Sequence, residues 1–389
     1  MHIDPLIPPL VGVIAAVLLV GLLLQFLRQP QLVGYIVSGV AIGPSGFALL
    51  TDQALIEHLG AIGVTLLLFF IGMEVSPKQL ARGWRIALGG TLLQIGGSVA
   101  LTWAIGLWLG WELPRVILLG FVISLSSTAV VLKLLKDRGE LNSTAGGNVL
   151  LILLAQDLAV VPMLIVISLF SNERPGGDQL VQQLVGAVVI LGLAAFALSR
   201  DQFRLPFAKR VRQDHELQVF AALLICFGLA FITGTLGLSS ALGAFVAGMI
   251  VASAHETDWV HHALEPLRIV FVALLFVSIG MLIEVRFVVE NWLQVGSLVI
   301  AVLVTNTFIN AGILRALGNP WPLSLYSGAL LAQIGEFSFV LISVGLQAAI
   351  VSNYGYQLTI AVIALTLALS PAWIGATKRL LGNRLRYDV

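Results

Sequence analysis

The chain has 389 residues, of which 58% are hydrophobic and only 11% are charged, and its mean hydropathy is +1.00. Soluble domains do not have this composition, so it indicates a polytopic membrane protein. The formal net charge of +1 gives no basic face for a nucleic-acid partner, and the single cysteine, Cys226, excludes an intrachain disulfide.

Thirteen apolar segments are long enough to cross a bilayer. The first follows an N-terminus without the basic region of a cleavable signal, so it predicts a membrane helix. The segments lie near residues 7–27, 31–50, 55–75, 86–110, 114–135, 146–170, 180–199, 216–235, 237–254, 265–284, 288–314, 321–347 and 353–377. The predicted fold class is an all-α polytopic membrane protein with 13 transmembrane helices.

The charges between these segments predict their orientation. Nearly all of the 21 Lys and Arg residues fall in alternate loops, and only Arg115, Arg174 and Arg286 fall in the opposite ones. Because Lys and Arg accumulate on the cytoplasmic side, the N-terminus is expected outside and the C-terminus inside. The predicted location is a bacterial-type inner membrane.

Two pairs of motifs repeat at nearly the same distance. QLVGYIVSGVAIGPS near residue 31 matches SALGAFVAGMIVASA near residue 240, and LLFFIGMEV at 67–75 resembles LLFVSIGMLIEV at 274–285. One helix separates two six-helix units, so the second unit enters the membrane from the opposite face and the repeats are inverted. Inverted repeats place a substrate site near the midplane of the membrane. The predicted organisation is a first repeat at 1–175, a linker helix and basic loop at 176–215, a second repeat at 216–378 and a basic tail at 379–389.

Matching polar residues interrupt the fifth and twelfth predicted helices. The interrupting residues are small or polar. They are Ser124, Ser126, Ser127 and Thr128 in one helix and Gln333, Gly335, Glu336 and Ser338 in the other. Broken helices occur inside membranes only where they are buried in protein or line a wet cavity. The sequence therefore predicts two discontinuous helices whose opposed breaks face one another near Asp157 and support a site.

Asp157 is the only charged residue between Val149 and Phe170. A carboxylate at the centre of a membrane helix costs about 2.5–3.5 kcal/mol, which makes it a candidate functional residue. It could be neutralised alternately by a proton or by a monovalent cation, and Gln156 beside it offers an uncharged oxygen. We predict that Asp157 and Gln156 form the ion-binding pair.

Two further groups of residues keep alternative interpretations. Glu336 either completes the cation site or pairs with backbone N–H groups of the opposing break. The segment containing His261, His262 and Glu265 has the composition of a metal cluster, but its spacing matches no zinc motif, so a cytoplasmic regulatory loop is favoured.

Several motifs together resemble the Kef-type branch of the monovalent cation/proton antiporters. They are QLVGYIVSGVAIGPS, LLLFFIGMEVSPKQL, SLSSTAVVLKLLKDRGELNSTAG, LLAQDLAVVP, HHALEPLRIVFVALLFVSIGM and AQIGEFSFVLIS, within residues 30–345. The resemblance implies a homodimer in the lipid membrane whose core domain moves like an elevator, with Gln156 and Asp157 as its ion-binding pair. The Gln-Asp form also implies K⁺/H⁺ rather than Na⁺/H⁺ exchange.

The chain departs from that family pattern in two places. Many relatives carry a lysine in the helix corresponding to 288–314, whereas this segment offers Thr305, Asn306 and Asn310, which favours electroneutral exchange. Kef systems also continue into a cytoplasmic nucleotide-binding domain, and this chain ends in LLGNRLRYDV without a glycine-rich fingerprint. Either the sequence is part of a longer protein or the protein works without that domain, so regulation by glutathione or nucleotides cannot be assumed.

Other classes of function remain as alternatives. A Na⁺/H⁺ antiporter needs the same residues, and a ligand-gated cation channel also uses a midplane acid and polar breaks. An intramembrane aspartyl protease needs two membrane aspartates and this sequence offers one, so we expect no enzyme. No cofactor is expected; the ions are the transported substrates.

Overall fold

The computed structural model describes residues 7–26, 29, 31–74, 83–141, 143–170, 186, 189, 192, 214–236, 240–253 and 258–382, and every element in these ranges is helical. A π-helical segment, Arg85–Gly90, leads directly into the fourth α-helix. The helices are α1 Ile7–Phe26, α2 Gln31–Ile42, α3 Gln53–Glu74, α4 Thr91–Leu109, α5 Leu113–Ser124, α6 Thr128–Asp137, α7 Thr144–Leu169, α8 His215–Thr235, α9 Ser240–Ser253, α10 Asp258–Leu282, α11 Val285–Glu290, α12 Trp292–Ala316, α13 Trp321–Leu330, α14 Phe337–Gln347 and α15 Asn353–Leu381. The all-α prediction is confirmed for this part of the chain.

Within the described ranges, six helices are long and apolar enough to cross a membrane, and six more apolar helices are shorter, with 10–17 residues. The six long ones are Arg85–Leu109, Thr144–Ile167, Glu216–Thr235, Leu264–Leu282, Trp292–Ala316 and Asn353–Leu381. The predicted linker helix at 180–199 and the basic loop after it lie outside the described residues, apart from three isolated positions. The count of 13 spans therefore stays a prediction.

The larger of two compact units contains Met1–Thr51, Lys78–Asn172 and Ile279–Val389. Its core is an apolar cluster from α6, α7, α12, α13 and α15, with Val149, Leu153 and Leu330 fully buried. Close backbone contact joins α2 and α10, where a Cβ on Gly280 would lie 2.1 Å from the carbonyl oxygen of Ile36. Only glycine fits at such a crossing, as is usual where membrane helices approach closely.

The second unit contains Asp52–Pro77 and Glu173–Ser278, and its described core comes from α3, α8, α9 and the first part of α10. Phe69, Ala244 and Ala247 are buried where α3 packs on α9. A Cβ on Gly72 would lie 2.1 Å from the carbonyl oxygen of Phe245, so these two helices also meet backbone to backbone. The sequence motifs around both glycines therefore specify close helix crossings.

Helix α4 has a polar buried side and an apolar exposed side. Its buried residues are Thr91, Gln94, Ser98, Thr102 and Gly106, all polar or glycine. Large apolar side chains are exposed instead, including Leu107 at 68% and Trp108 at 86%. This is the reverse of a soluble helix and fits a helix that faces lipid on one side and a polar interior on the other.

The predicted regulatory segment is helical, so the expectation of a loop there is wrong. Helix α10 begins at Asp258 and includes His261, His262 and Glu265. The segment contains the good helix formers Ala263 and Leu264, and Pro266 lies inside the helix without ending it. Glu265 is exposed, and the side chains of the two histidines lie outside the described part.

Candidate ion-binding site

The first helix break lies between α5 and α6, at residues 125–127. Leu125 and Ser127 have extended backbones, with φ and ψ of −88° and 129° and of −84° and 111°. The hydroxyl of Ser127 then accepts a hydrogen bond from the N–H of Val130 at 3.3 Å and caps α6. The run of Ser and Thr in the sequence thus produces both the break and the restart, because these side chains satisfy exposed N–H groups.

The second break, at residues 331–336, lies against the first. The N–H of Gly335 donates to the carbonyl oxygen of Leu125 at 2.8 Å, and the hydroxyl of Ser126 donates to the carbonyl oxygen of Leu331 at 2.8 Å. A Cβ on Gly335 would lie 2.4 Å from the carbonyl oxygen of Ser126. The two unwound segments therefore satisfy each other's backbone groups, which membrane lipid cannot do.

Asp157 lies beside the first break, near the middle of α7, and is only 6% exposed. The hydroxyl of Thr128 lies 3.0 Å from Asp157 Oδ2 and 3.3 Å from Oδ1. Because Thr128 is the first residue of α6, the carboxylate lies at the positive end of that helix. A buried carboxylate in this position is suited to binding either a proton or a cation.

Gln156 contacts the backbone of the break. Its Oε1 accepts from the N–H of Ser126 at 3.0 Å, and its Nε2 donates to the carbonyl oxygen of Ser124 at 3.1 Å and to Gln94 Oε1 at 2.6 Å. The amide thus spans residues on both sides of Leu125. This contact was not expected from the sequence, and a direct role of Gln156 in ion binding stays a prediction.

Asn306 joins the two breaks from α12. Its Nδ2 donates to the carbonyl oxygens of Ile123 at 2.9 Å and Ala332 at 3.1 Å. The sequence indicated Asn306 as one of three polar residues in the interior of this helix, but it did not predict these contacts. The amide therefore supplies neutral donors to two carbonyl oxygens at the ends of broken helices.

The structure brings together most of the residues predicted for the site. Ser126, Ser127, Thr128, Gln156, Asp157 and Gly335 are connected by the contacts above. Glu336 is 7% exposed and is the last residue before α14 begins, so it is buried at the end of the second break. His261, His262 and Glu265 are in the other unit of the chain, on α10.

Sequence reasoning missed Gln94 as a member of this site. Its signal is the spacing of Thr91, Gln94, Ser98 and Thr102, which places polar side chains on one face of an otherwise apolar helix. Such a polar face in a membrane helix indicates a polar partner inside the protein.

A second buried polar cluster surrounds Glu140, which follows α6 and is 5% exposed. The hydroxyl of Tyr326 on α13 donates to Glu140 Oε2 at 2.5 Å, and Lys378 on α15 forms an ion pair with Oε1. Arg138 also donates to the Tyr326 hydroxyl at 3.2 Å. This cluster connects parts of both broken helices to α15.

An apolar chain whose described elements are all helices, with two broken helices meeting beside a buried carboxylate, has the architecture of a membrane ion transporter. The chain belongs to the sodium/hydrogen exchanger family, whose transmembrane model matches residues 13–378. The family consists of antiporters rather than enzymes. The predicted membership of the monovalent cation/proton antiporters is thus confirmed, with a Kef-like relationship supported by the relatives below.

Three relatives are similar over nearly the whole chain. The iron transporter MagA of Paramagnetospirillum magneticum is 37% identical over 94% of this chain and 84% of its own length. K(+) efflux antiporter 5 of Arabidopsis thaliana is 34% identical over 94% of this chain and 65% of its own length. The putative cation/proton antiporter YbaL of Escherichia coli is 30% identical over 98% of this chain and 70% of its own length.

A solved structure has the same fold. The sodium proton antiporter MjNhaP1 from Methanocaldococcus jannaschii matches with a TM-score of 0.70 over 96% of this chain and 98% of that one. Sequence identity is only 14%, so this likeness establishes the fold alone.

Proposed function

We propose that this protein is a secondary antiporter that exchanges K⁺ for H⁺, with Asp157 binding the two ions alternately. The observation that carries the proposal is a buried carboxylate placed where two helix breaks meet, with the neutral hydroxyl of Thr128 as a hydrogen-bond donor. Competition of H⁺ and K⁺ for one carboxylate couples their movements, since only one of the two can be carried at a time.

We propose K⁺ rather than Na⁺ as the transported cation on two grounds. The Gln156–Asp157 pair resembles that of potassium-transporting Kef relatives, and a relative that is 34% identical is named a K⁺ efflux antiporter. Na⁺/H⁺ exchange is the alternative. Another relative, 37% identical, is named an iron transporter, so Fe²⁺ belongs among the ions tested.

The proposed architecture has 13 spans, with inverted repeats at 1–175 and 216–378 and a linker region at 176–215. Supporting it, Gly39 in α2 contacts Gly280 in α10, and Gly72 in α3 contacts Gly248 in α9. Each contact thus pairs the second helix of one repeat with the third helix of the other. Several corresponding helices also begin 208 or 209 residues apart, as at Leu113 and Trp321 or Thr144 and Asn353.

Within this proposal, Ser126, Ser127, Thr128 and Gly335 support the crossed helices, and Glu336 either binds the cation or stabilises the opposing break. The protein works as a homodimer in an inner membrane, with the N-terminus outside and the C-terminus inside. A core domain with the broken helices moves like an elevator, and the first turns of α10, with His261, His262 and Glu265, form a cytoplasmic control surface. A cytoplasmic nucleotide-binding regulatory domain, as in Kef systems, is a proposed partner.

The test is a proteoliposome assay in which a pH dye reports proton flux driven by gradients of K⁺, Na⁺, Rb⁺, Li⁺ or Fe²⁺. We expect K⁺-driven flux in the wild type and its loss in Asp157→Asn, which keeps the volume but cannot exchange a proton. Glu290→Gln is the matched control, because it neutralises an exposed acid on α11. Normal exchange by Asp157→Asn, or cation conductance independent of protons, would contradict the proposal.

A further inference from the structure

Gln333 lies in the middle of the second break, and the backbone on both sides of it is fixed by other helices. Four hydrogen bonds hold this segment: from Ser126 Oγ to the carbonyl of Leu331, from Asn306 Nδ2 to the carbonyl of Ala332, from the N–H of Ile334 to Thr366 Oγ1, and from the N–H of Gly335 to the carbonyl of Leu125. The position of Gln333 is therefore set by its neighbours.

The side chain of Gln333 makes none of these contacts. It is 0% exposed, and neither its Oε1 nor its Nε2 has a hydrogen-bond partner in the described structure. Leaving a buried amide unsatisfied costs about 1–3 kcal/mol per group. Gln156 and Gln357, which are also buried glutamines, do have partners for their amides.

The chemistry of an amide suits the proposed substrate. Monovalent cations that leave water need several oxygen ligands, and carbonyl oxygens replace hydration water in potassium-selective sites. A carboxylate and a hydroxyl, as supplied by Asp157 and Thr128, provide only part of such a shell. An amide oxygen adds a ligand without adding a second negative charge, which would have to be neutralised separately.

The position of Gln333 in the second break also supports a role in binding the cation. Its break is joined by direct hydrogen bonds to the break that carries Ser126 and leads into Thr128, the donor to Asp157. We propose that the side-chain amide of Gln333 is a ligand of the transported monovalent cation. This inference rests on the cation/proton exchange proposed above and names a further residue that determines its cation affinity.

The experiment uses Gln333→Met, which keeps the shape but removes the polar atoms, and measures thermal unfolding of the purified protein. Choline is replaced by K⁺ at constant ionic strength, because an ion that binds the folded state raises the unfolding temperature. We expect Gln333→Met to be at least as stable as wild type in choline, since no hydrogen bond is lost and the cost of the unsatisfied amide is removed. We also expect the K⁺ concentration for half-maximal stabilisation, and the KM for K⁺-driven proton flux, to rise about tenfold or more.

Gln357→Met is the matched control. Its amide donates to the carbonyl oxygen of Leu282 at 2.9 Å and accepts from the N–H of Glu284 at 3.2 Å. This variant should unfold at a lower temperature in choline, because it leaves those groups unsatisfied, but should keep the wild-type K⁺ dependence.

The outcomes separate this inference from the proposed function. If wild type exchanges K⁺ for H⁺ but Gln333→Met keeps the wild-type K⁺ dependence, the role of Gln333 alone is contradicted. A wild type that shows neither K⁺-dependent stabilisation nor K⁺-driven proton flux contradicts both proposals.

Discussion

Asp157 and Gln156 are adjacent in the sequence, but their side chains contact different parts of the molecule. Adjacent residues on a helix point about 100° apart. Asp157 therefore meets Thr128 at the start of α6, whereas Gln156 reaches the break and Gln94 on α4. The sequence predicted that both residues matter and that Asp157 is costly to bury. It could not predict the partner of Gln156, because Gln94 is distant in sequence and no local pattern joins the two.

At Gly335 the backbones of the two breaks are in close contact. A substitution at this residue therefore tests whether that contact is needed. In Gly335→Ala the new methyl group would lie 2.4 Å from the carbonyl oxygen of Ser126, and the neighbouring backbone would have to move. Such overpacking lowers the free energy of unfolding by about 1–3 kcal/mol. We expect thermal unfolding at a lower temperature and a reduced rate of cation-driven proton flux in proteoliposomes.

The control for this substitution is Gly375→Ala in α15, where a Cβ has no neighbour within 4 Å. It should leave transport unchanged and stabilise the helix by at most about 1 kcal/mol, since alanine is the better helix former. If Gly335→Ala behaved like Gly375→Ala, close contact between the breaks would not be needed for stability.

Among the structural elements, the broken helices were predictable and the contacts that hold them were not. The SLSST and QIGEFS segments interrupt apolar helices with residues that favour caps and turns, and the structure breaks both helices there. The position of Asn306 between Ile123 and Ala332 depends on packing of three helices. The polar and charged residues at 258–265 favour a solvated loop by composition. The structure has the first turns of α10 there, and the helix formers Ala263 and Leu264 are consistent with it.

The polar cluster around Glu140 joins helices that are distant in the sequence. We expect it to stabilise the core of its unit. Glu140→Gln would remove the charge that faces Lys378 while Tyr326 keeps a possible acceptor. Breaking a fully buried ion pair costs about 3–5 kcal/mol. The side chain of Lys378 is 41% exposed, so the expected loss of unfolding free energy is smaller, about 1–2 kcal/mol.

A double-mutant cycle of Glu140→Gln with Lys378→Met, measured by chemical unfolding, would isolate the interaction of the two side chains. Glu290→Gln with Arg286→Met gives the matched exposed pair, for which the coupling should stay below about 0.5 kcal/mol. Equal coupling energies for the buried and the exposed pair would show that burial of Glu140 adds nothing to stability.

For the whole molecule, composition predicted an all-α membrane protein, and the described residues confirm the all-helical part of that prediction. Apolar segments of membrane length leave few alternatives to a helical architecture, because every backbone group must be satisfied internally. The motifs around Gly39, Gly72, Gly248 and Gly280 do lie at close helix crossings. Which helix each glycine faces was not predictable, because glycine-rich faces are alike in sequence and only the assembled packing distinguishes them.

The charges of the whole transport site predict electroneutral exchange. If Asp157 carries either one H⁺ or one K⁺, both loaded forms have the same net charge, and neither crossing is driven by the membrane potential. The interior of α12 carries no charged side chain, and its Asn306, which contacts both breaks, is neutral, so this helix adds no charge to the site. On a solid-supported membrane, a K⁺ jump should therefore produce no transport current in wild-type proteoliposomes, although a pH dye reports proton flux. Asp157→Asn should give neither signal. A transient transport current that accompanies the proton flux in wild type, and is absent in Asp157→Asn, would mean that the exchange moves net charge.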